Sequence, residues 1–190
     1  MNNNKKIAIF ASGSGSNFEA IAKACQNGRI NAEVALCVCD HPGAYVTERA
    51  KKMDIPVLEL RAKSYATKAD YENVILSELK KLNVEFICLA GYMRIVGDVL
   101  LKNYENKIIN IHPSLLPSFP GVDAIGQALK YGVKVFGVTI HYVDQTLDGG
   151  KIISQAAIPY DGNDREELEA MVHAREHALY VSTLSSICNK

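Results

Sequence analysis

The chain reads as a single α/β domain: a mostly parallel, twisted sheet with helices on both faces and an antiparallel addition near the C-terminal end. Three observations predict this. Apolar runs of strand length alternate with amphipathic helical stretches through the first half of the chain, which is the rhythm of βαβ crossovers. Two β-rich runs then follow one another closely with no helix between them, a spacing that antiparallel neighbours tolerate and parallel ones do not. Finally, 190 residues that are 48% hydrophobic and 22% charged have globular composition and the length of one domain, spanning 1–190.

Each element follows from local pattern. Lys6–Ala11 is an apolar run that stops at the polar stretch Ser12-Gly13-Ser14-Gly15-Ser16-Asn17. Phe18–Asn27 places Phe18, Ile21, Ala22 and Cys25 at helical spacing, with Gly28 positioned to end the helix. Val34–Cys39 reads as a buried strand, Ala44–Met53 as a helix, and Ile55-Pro56-Val57-Leu58 as the entry to a third strand. Lys68–Leu82 carries Tyr71, Ile75, Leu79 and Leu82 on one helical face, and Phe86–Ala90 is the next strand. After the strand Ile108–Ile111, Pro113, Pro117 and Pro120 make His112–Gly121 a fixed loop. Ala124–Tyr131 is a short helix. Val135–Val143 and Lys151–Ile158 are the paired β runs, joined across Asp148-Gly149-Gly150. Asn163 opens the last helix, with Asp164, Glu166 and Glu167 suited to the positive end of its dipole.

Charge and cysteine usage exclude whole classes of function. Lys plus Arg and Asp plus Glu both number 21, so the formal net charge is +0. That balance offers no footprint for nonspecific binding to nucleic acid or to a membrane surface. The run Ile7–Ala11 is too short for a signal sequence core or a membrane span. Cys25, Cys37, Cys39, Cys88 and Cys188 are odd in number, contain no C-x-x-C pair and sit among aliphatic residues. They read as buried, reduced thiols of a cytoplasmic protein.

Four constellations could carry chemistry. The Gly/Ser loop after the first strand can aim backbone N–H groups at a phosphate on a helix N-terminus. Gly13-x-Gly15-x-x-Phe18 also resembles a dinucleotide fingerprint, with Asp40 closing the second strand. Phe18 at the third glycine position and the lack of a Walker lysine favour a monophosphate, and a purely structural turn is the remaining reading. In Asn110-Ile111-His112-Pro113, strand alternation puts Asn110 and His112 on one side at the carboxyl edge of a strand. An amide there can donate to an oxyanion and an imidazole can move protons, unless the histidine is simply anchored by the Pro-rich loop. Asp148 could tune His112 toward imidazolium, or Asp148-Gly149 could be an ordinary hairpin turn. Last, His173-Ala174-Arg175-Glu176-His177 fits the H-x-x-E-H spacing of a helical zinc site but has no evident third ligand, so no metal is expected.

Four ordered motifs carry a resemblance that runs nearly end to end. They are Ser12-Gly13-Ser14-Gly15-Ser16-Asn17, Leu89-Ala90-Gly91-Tyr92-Met93-Arg94-Ile95, Asn110-Ile111-His112-Pro113-Ser114-Leu115-Leu116-Pro117 and Leu147-Asp148-Gly149-Gly150. Together they resemble the phosphoribosylglycinamide formyltransferase family, the folate-dependent glycinamide ribonucleotide (GAR) transformylases of purine biosynthesis. The resemblance implies a Rossmann-like formyltransferase fold and 10-formyltetrahydrofolate as cosubstrate. It implies that Gly15, Ser16, Asn17 and Glu176 bind GAR. Lys68, Met93, Arg94, Ile95, Val96, Asn110 and Asp144 would line the folate site, with the Asp144–Asp148 loop closing it. Asn110, His112 and Asp148 match the catalytic trio. The implied partners are these two small molecules, with no nucleic acid and no membrane, for a monomer or homodimer. Lys68, His173 and Val181 depart from residues common in the family, where arginine, glutamine and proline are expected.

Overall fold

The computed structural model describes residues 4–189; the outermost positions of the expected domain, 1–3 and 190, lie outside the described residues. The strands are β1 (Lys5–Ala11), β2 (Ala32–Cys39), β3 (Val57–Glu59), β4 (Phe86–Leu89), β5 (Ile108–His112), β6 (Val135–Tyr142) and β7 (Ile152–Pro159). The helices are α1 (Ser16–Gln26), α2 (Tyr45–Lys52), α3 (Lys68–Lys81), α4 (Asp98–Asn103), α5 (Ala124–Tyr131) and α6 (Arg165–Cys188). One sheet has the order β3-β2-β1-β4-β5-β6-β7. Pairing is parallel from β3 through β5 and antiparallel for β5–β6 and β6–β7. The α/β class and the antiparallel addition expected from sequence are both present.

Apolar side chains fill both faces of the sheet. On one, Ile7, Ile9, Ile109 and Ile140 pack with Phe18 and Ile21 of α1, Val46 of α2 and Tyr180 and Leu184 of α6. On the other, Phe10, Val38, Ile87 and Ile108 pack with Tyr71, Ile75 and Leu79 of α3 and Leu100 of α4. A third cluster joins α5 and the first turns of α6 to Phe136, Val138 and Ile158. The Tyr180 hydroxyl lies 2.9 Å from Leu89 O and 3.3 Å from Ile109 O, tying α6 to the two central strands.

Several elements differ from their sequence expectation, each for a local reason. Helix α1 starts at Ser16, two residues before Phe18, because Gly15 adopts the left-handed conformation (φ 74°) and serves as N-cap. Asp164, not Asn163, caps α6; its carboxylate accepts from the N–H groups of Glu166 and Glu167 at 2.8 and 3.2 Å. The six-residue α4 and a 3-10 turn at Ala62–Ser64 were not expected, being too short to show a period. The N-terminus of α4 is capped from outside, since Gly97 N–H donates to the buried Glu72 Oε1 at 2.5 Å.

Candidate active site

The sheet order reverses direction between β1 and β4, so the loops leaving their carboxyl ends diverge and open a crevice. The two loops are tied to each other: Ser12 N–H donates to Gly91 O at 3.1 Å, and Met93 N–H donates to Ser12 Oγ at 2.8 Å. The glycine loop after β1, Gly91–Val96 after β4, and Asn110 and His112 of β5 all lie on the carboxyl side of the parallel strands.

The glycine loop is held in shape from behind. Val46 N–H donates to Gly13 O at 3.1 Å and Arg49 Nε to Ser14 O at 2.8 Å, both from α2. A Cβ on Gly15 would lie 2.5 Å from Val46 Cγ2, so glycine is required by space as well as by φ. The first helical bond runs from Glu19 N–H to Gly15 O, and no side chain caps the helix. The N–H groups of Ser16, Asn17 and Phe18 therefore have no partner within the helix, which leaves them able to receive an anion. The dinucleotide alternative fares worse here. Phe18 is fully buried, and the Asp40 side chain is 1% exposed and paired with His41 Nδ1 at 3.0 Å, out of reach of a ribose.

Asn17 reaches across to α6. Its Nδ2 donates to Glu176 Oε2 at 2.9 Å, while its own Oδ1 is buried without a partner. Burial pushes the Glu176 carboxyl above its ordinary value; the Asn17 hydrogen bond and the nearby His173 and His112 pull it partly back. Glu176 of the H-x-x-E-H motif is thus turned to the glycine loop, and His173 lies exposed on the helix surface. Val181 is buried against the sheet.

Asn110 and His112 end β5, and the antiparallel register sets His141 opposite Asn110 and Thr139 opposite His112. His141 was missed from sequence. The available signal was a Thr139-x-His141 polar pair in an otherwise apolar strand, spaced as Asn110 and His112 are. Its Nδ1 lies 2.9 Å from Tyr142 O, an obligate acceptor, so Nδ1 carries the proton. Its Nε2 is then free to accept from Asn110 Nδ2 at 3.3 Å. This fixes which way the Asn110 amide points and leaves its second N–H for another acceptor. Desolvation lowers the His141 pKa, against the opposing pull of Tyr142 O and Asp148, and so favours the neutral ring.

His112 is buried between two acceptors: Nε2 lies 2.8 Å from Phe119 O and Nδ1 3.5 Å from Asp148 Oδ2. Asp148 Oδ2 also accepts Gly121 N–H at 2.8 Å, and Oδ1 lies 3.7 Å from His141 Nε2. Asp148 is not part of a tight hairpin. Residues 143–151 link β6 to β7, and Asp148 sits in them with φ 50°. A Cβ on Gly150 would lie 1.8 Å from Tyr142 O, so the chain passes flush against the end of β6 only because that residue is glycine.

On the other flank, a cleft of about 610 Å³ lies between α3, α4 and the 144–148 loop. Lys68, Glu72, Val96, Gly97, Leu101 and Gln145 line it. Of the residues expected at the folate, Lys68 and Val96 thus face one cavity. Met93 and Ile95 stand on the adjoining loop, 72% and 71% exposed, and the Arg94 guanidinium lies over the Tyr71 ring at 5.4 Å. Asp144 is engaged within its own loop, accepting from Thr146 N–H at 2.8 Å and from the Thr146 hydroxyl, which lowers its pKa.

A glycine loop at a helix N-terminus, a cleft beside α3 and α4 and an amide–imidazole–carboxylate cluster at the end of β5 are set on one α/β sheet. The chain belongs to the formyl transferase family, whose model matches residues 5–184. It is 52% identical over 184 residues to the phosphoribosylglycinamide formyltransferase of Bacillus subtilis (strain 168), covering 96% of this chain and 94% of that one. It is also 36% identical over 188 residues to the trifunctional purine biosynthetic protein adenosine-3 of Drosophila melanogaster, covering 97% of this chain but 14% of that protein. The crystal structure of glycinamide ribonucleotide transformylase 1 from Geobacillus kaustophilus superposes with a TM-score of 0.95 at 50% identity, covering 98% of this chain and 100% of that one. Among the described residues, no helix is long and apolar enough to cross a membrane.

Proposed function

We propose that this protein transfers the formyl group of 10-formyltetrahydrofolate to the amine of GAR, giving formyl-GAR and tetrahydrofolate in purine biosynthesis. The observation that carries this reading is the linkage of Asn110, through His141, and of His112 to the one carboxylate of Asp148, in a chain so similar to GAR transformylases. The phosphate of GAR sits on the unpaired N–H groups of Ser16 and Asn17, with Gly15 shaping the turn and Glu176 accepting hydrogen bonds from the ribosyl-glycinamide. The folate occupies the cleft beside Lys68 and Val96, against the loop carrying Met93, Arg94 and Ile95, with the Asp144–Asp148 loop across it.

The neutral amine of GAR attacks the formyl carbon, and the carbonyl oxygen gains negative charge. The Asn110 N–H not used by His141 donates to that oxygen, a contribution of about 3–4 kcal/mol if it matches other oxyanion donors. The attacking nitrogen must lose one proton and N10 of the folate must gain one before the C–N10 bond breaks. The His112–Asp148 pair carries that proton, help worth about 10²–10⁴-fold. Holding both substrates along one sheet edge supplies much of the remainder.

The test is formyl loss from 10-formyltetrahydrofolate, followed by absorbance with and without GAR. Loss that requires GAR supports the transferase. Loss with water alone replaces it with a deformylase, and no loss in either case refutes both. Asn110→Ala and Asp148→Asn are each expected to lower kcat by about 10²-fold or more while the protein stays folded.

A further inference from the structure

Residues 118–122 lie between the His112–Asp148 pair and α5, and each of them has at least one backbone polar group tied down. Ser118 N–H donates to Leu115 O at 3.0 Å, and Ser118 O accepts from Ser114 Oγ at 2.6 Å. Phe119 O faces His112 Nε2 at 2.8 Å, and Gly121 N–H donates to Asp148 Oδ2 at 2.8 Å. One side chain from α5 secures two further carbonyls. Gln127 Nε2 donates to Val122 O at 2.8 Å and to Pro120 O at 3.3 Å. Phe119 itself has φ 53°, a left-handed conformation that a bulky L residue keeps only where its surroundings hold it. Its ring packs edge-on against Tyr131, also of α5, with centroids 5.8 Å apart.

The chemistry of the Phe119 carbonyl restricts His112. It belongs to a peptide whose nitrogen is that of Pro120 and bears no hydrogen, so this peptide can offer the imidazole an acceptor but never a donor. A neutral imidazole has a single N–H for which two acceptors compete. Phe119 O stands 2.8 Å from Nε2, whereas Asp148 Oδ2, already accepting from Gly121 N–H, stands 3.5 Å from Nδ1, so the closer contact places the proton on Nε2. Nδ1, facing Asp148, is then the nitrogen that gains and loses a proton.

We propose that Gln127 is a positioning residue for formyl transfer: by fixing residues 120–122 it holds the Phe119 carbonyl on His112 Nε2, and so commits Nδ1 to Asp148 as the proton-carrying edge. The proposal rests on the reading of His112 as the proton carrier, and its test separates the two. Two-bond ¹⁵N–¹H correlation spectra of ¹⁵N-histidine-labelled protein, assigned with His112→Ala, report the tautomer of the neutral ring without any assay. The expected result is the Nε2–H tautomer in the unaltered protein. In Gln127→Ala, an exposed helical position where alanine is a good helix former, a mixture of both tautomers is expected. The kcat should fall about tenfold, toward the lower end of what misplacing a catalytic group by about 1 Å produces, with the KM for GAR within twofold. An Nδ1–H tautomer in the unaltered protein overturns the latch. Unchanged tautomer and kcat in Gln127→Ala overturn the role of Gln127. A tautomer that mixes while kcat holds supports the latch and overturns His112 as the proton carrier.

Discussion

Asn17 and Glu176 join the first and last helices through one buried hydrogen bond, Nδ2 to Oε2 at 2.9 Å. The bond holds a desolvated carboxylate where the proposed GAR site needs an acceptor, and the fold bears the cost of keeping it there. Burial raises the Glu176 pKa above its unfolded value, so the folded state binds the proton more tightly. The penalty is absent below the unfolded pKa and fully present above the folded one. Glu176→Gln is expected to melt higher than the unaltered protein at pH 7–8 and to bind GAR more weakly. The gain should shrink as pH falls toward the unfolded carboxyl value, about 4.3. Thermal melts at several pH values with a GAR titration check this, and an equal gain at every pH would be the wrong outcome.

His141 gives the opposite dependence. Its folded pKa is depressed chiefly by desolvation, so the unfolded chain takes up a proton first as pH falls. Stability rises with pH through this window and is lost from about pH 6.5 downward; His177, also depressed by burial, adds in the same sense. Urea midpoints of His141→Phe are expected to fall less between pH 7 and pH 5 than those of the unaltered protein. The same variant releases the Asn110 amide, and kcat should drop about tenfold or more. A parallel pH dependence would argue that His141 is not the group being titrated.

Gly15→Ala joins two independent penalties. The left-handed φ of 74° costs an L residue about 1–2 kcal/mol. The added Cβ also meets Val46, itself fully buried on α2. The expected variant loses at least that stability and binds inorganic phosphate or GAR more weakly, because moving the loop turns its N–H groups away. Denaturant midpoints and calorimetric titration would reveal it. Unchanged binding would remove the glycine loop from the GAR site.

The thiols should be inert in the native protein. Burial pushes Cys25 and Cys37 up to about 12, and Cys39, Cys88 and Cys188 are also raised. Thiolate, the reactive form, is scarce in all five at pH 8. Alkylation with iodoacetamide is expected to be slow in buffer and to reach all five in denaturant. A rapidly labelled cysteine in the folded enzyme would contradict this.

Local pattern sufficed for most of the architecture. The longer strands were legible as continuous apolar runs, buried on both faces, and the longer helices as amphipathic stretches that repeat their period. The six-residue α4 and the 3-10 turn do not, and Glu72, which caps α4, lies on another helix altogether. Within the candidate site, Asn110 and His112 were legible as a pair because strand alternation alone puts them on one side.

What the sequence by itself determined is therefore whatever is covalently close: the strand–helix order, the glycine turn before α1 and the amide–imidazole spacing at the end of β5. The tertiary structure alone decided which distant groups meet them. Antiparallel register set His141 against Asn110, and the path of 143–151 past Tyr142 O brought Asp148 to His112. The left-handed Phe119 turned a backbone carbonyl onto the same ring. The reason is physical: a period of two or 3.6 residues reports on neighbours along the chain. A contact between strand ends and loops depends on how the sheet twists and closes, which no short window of residues contains.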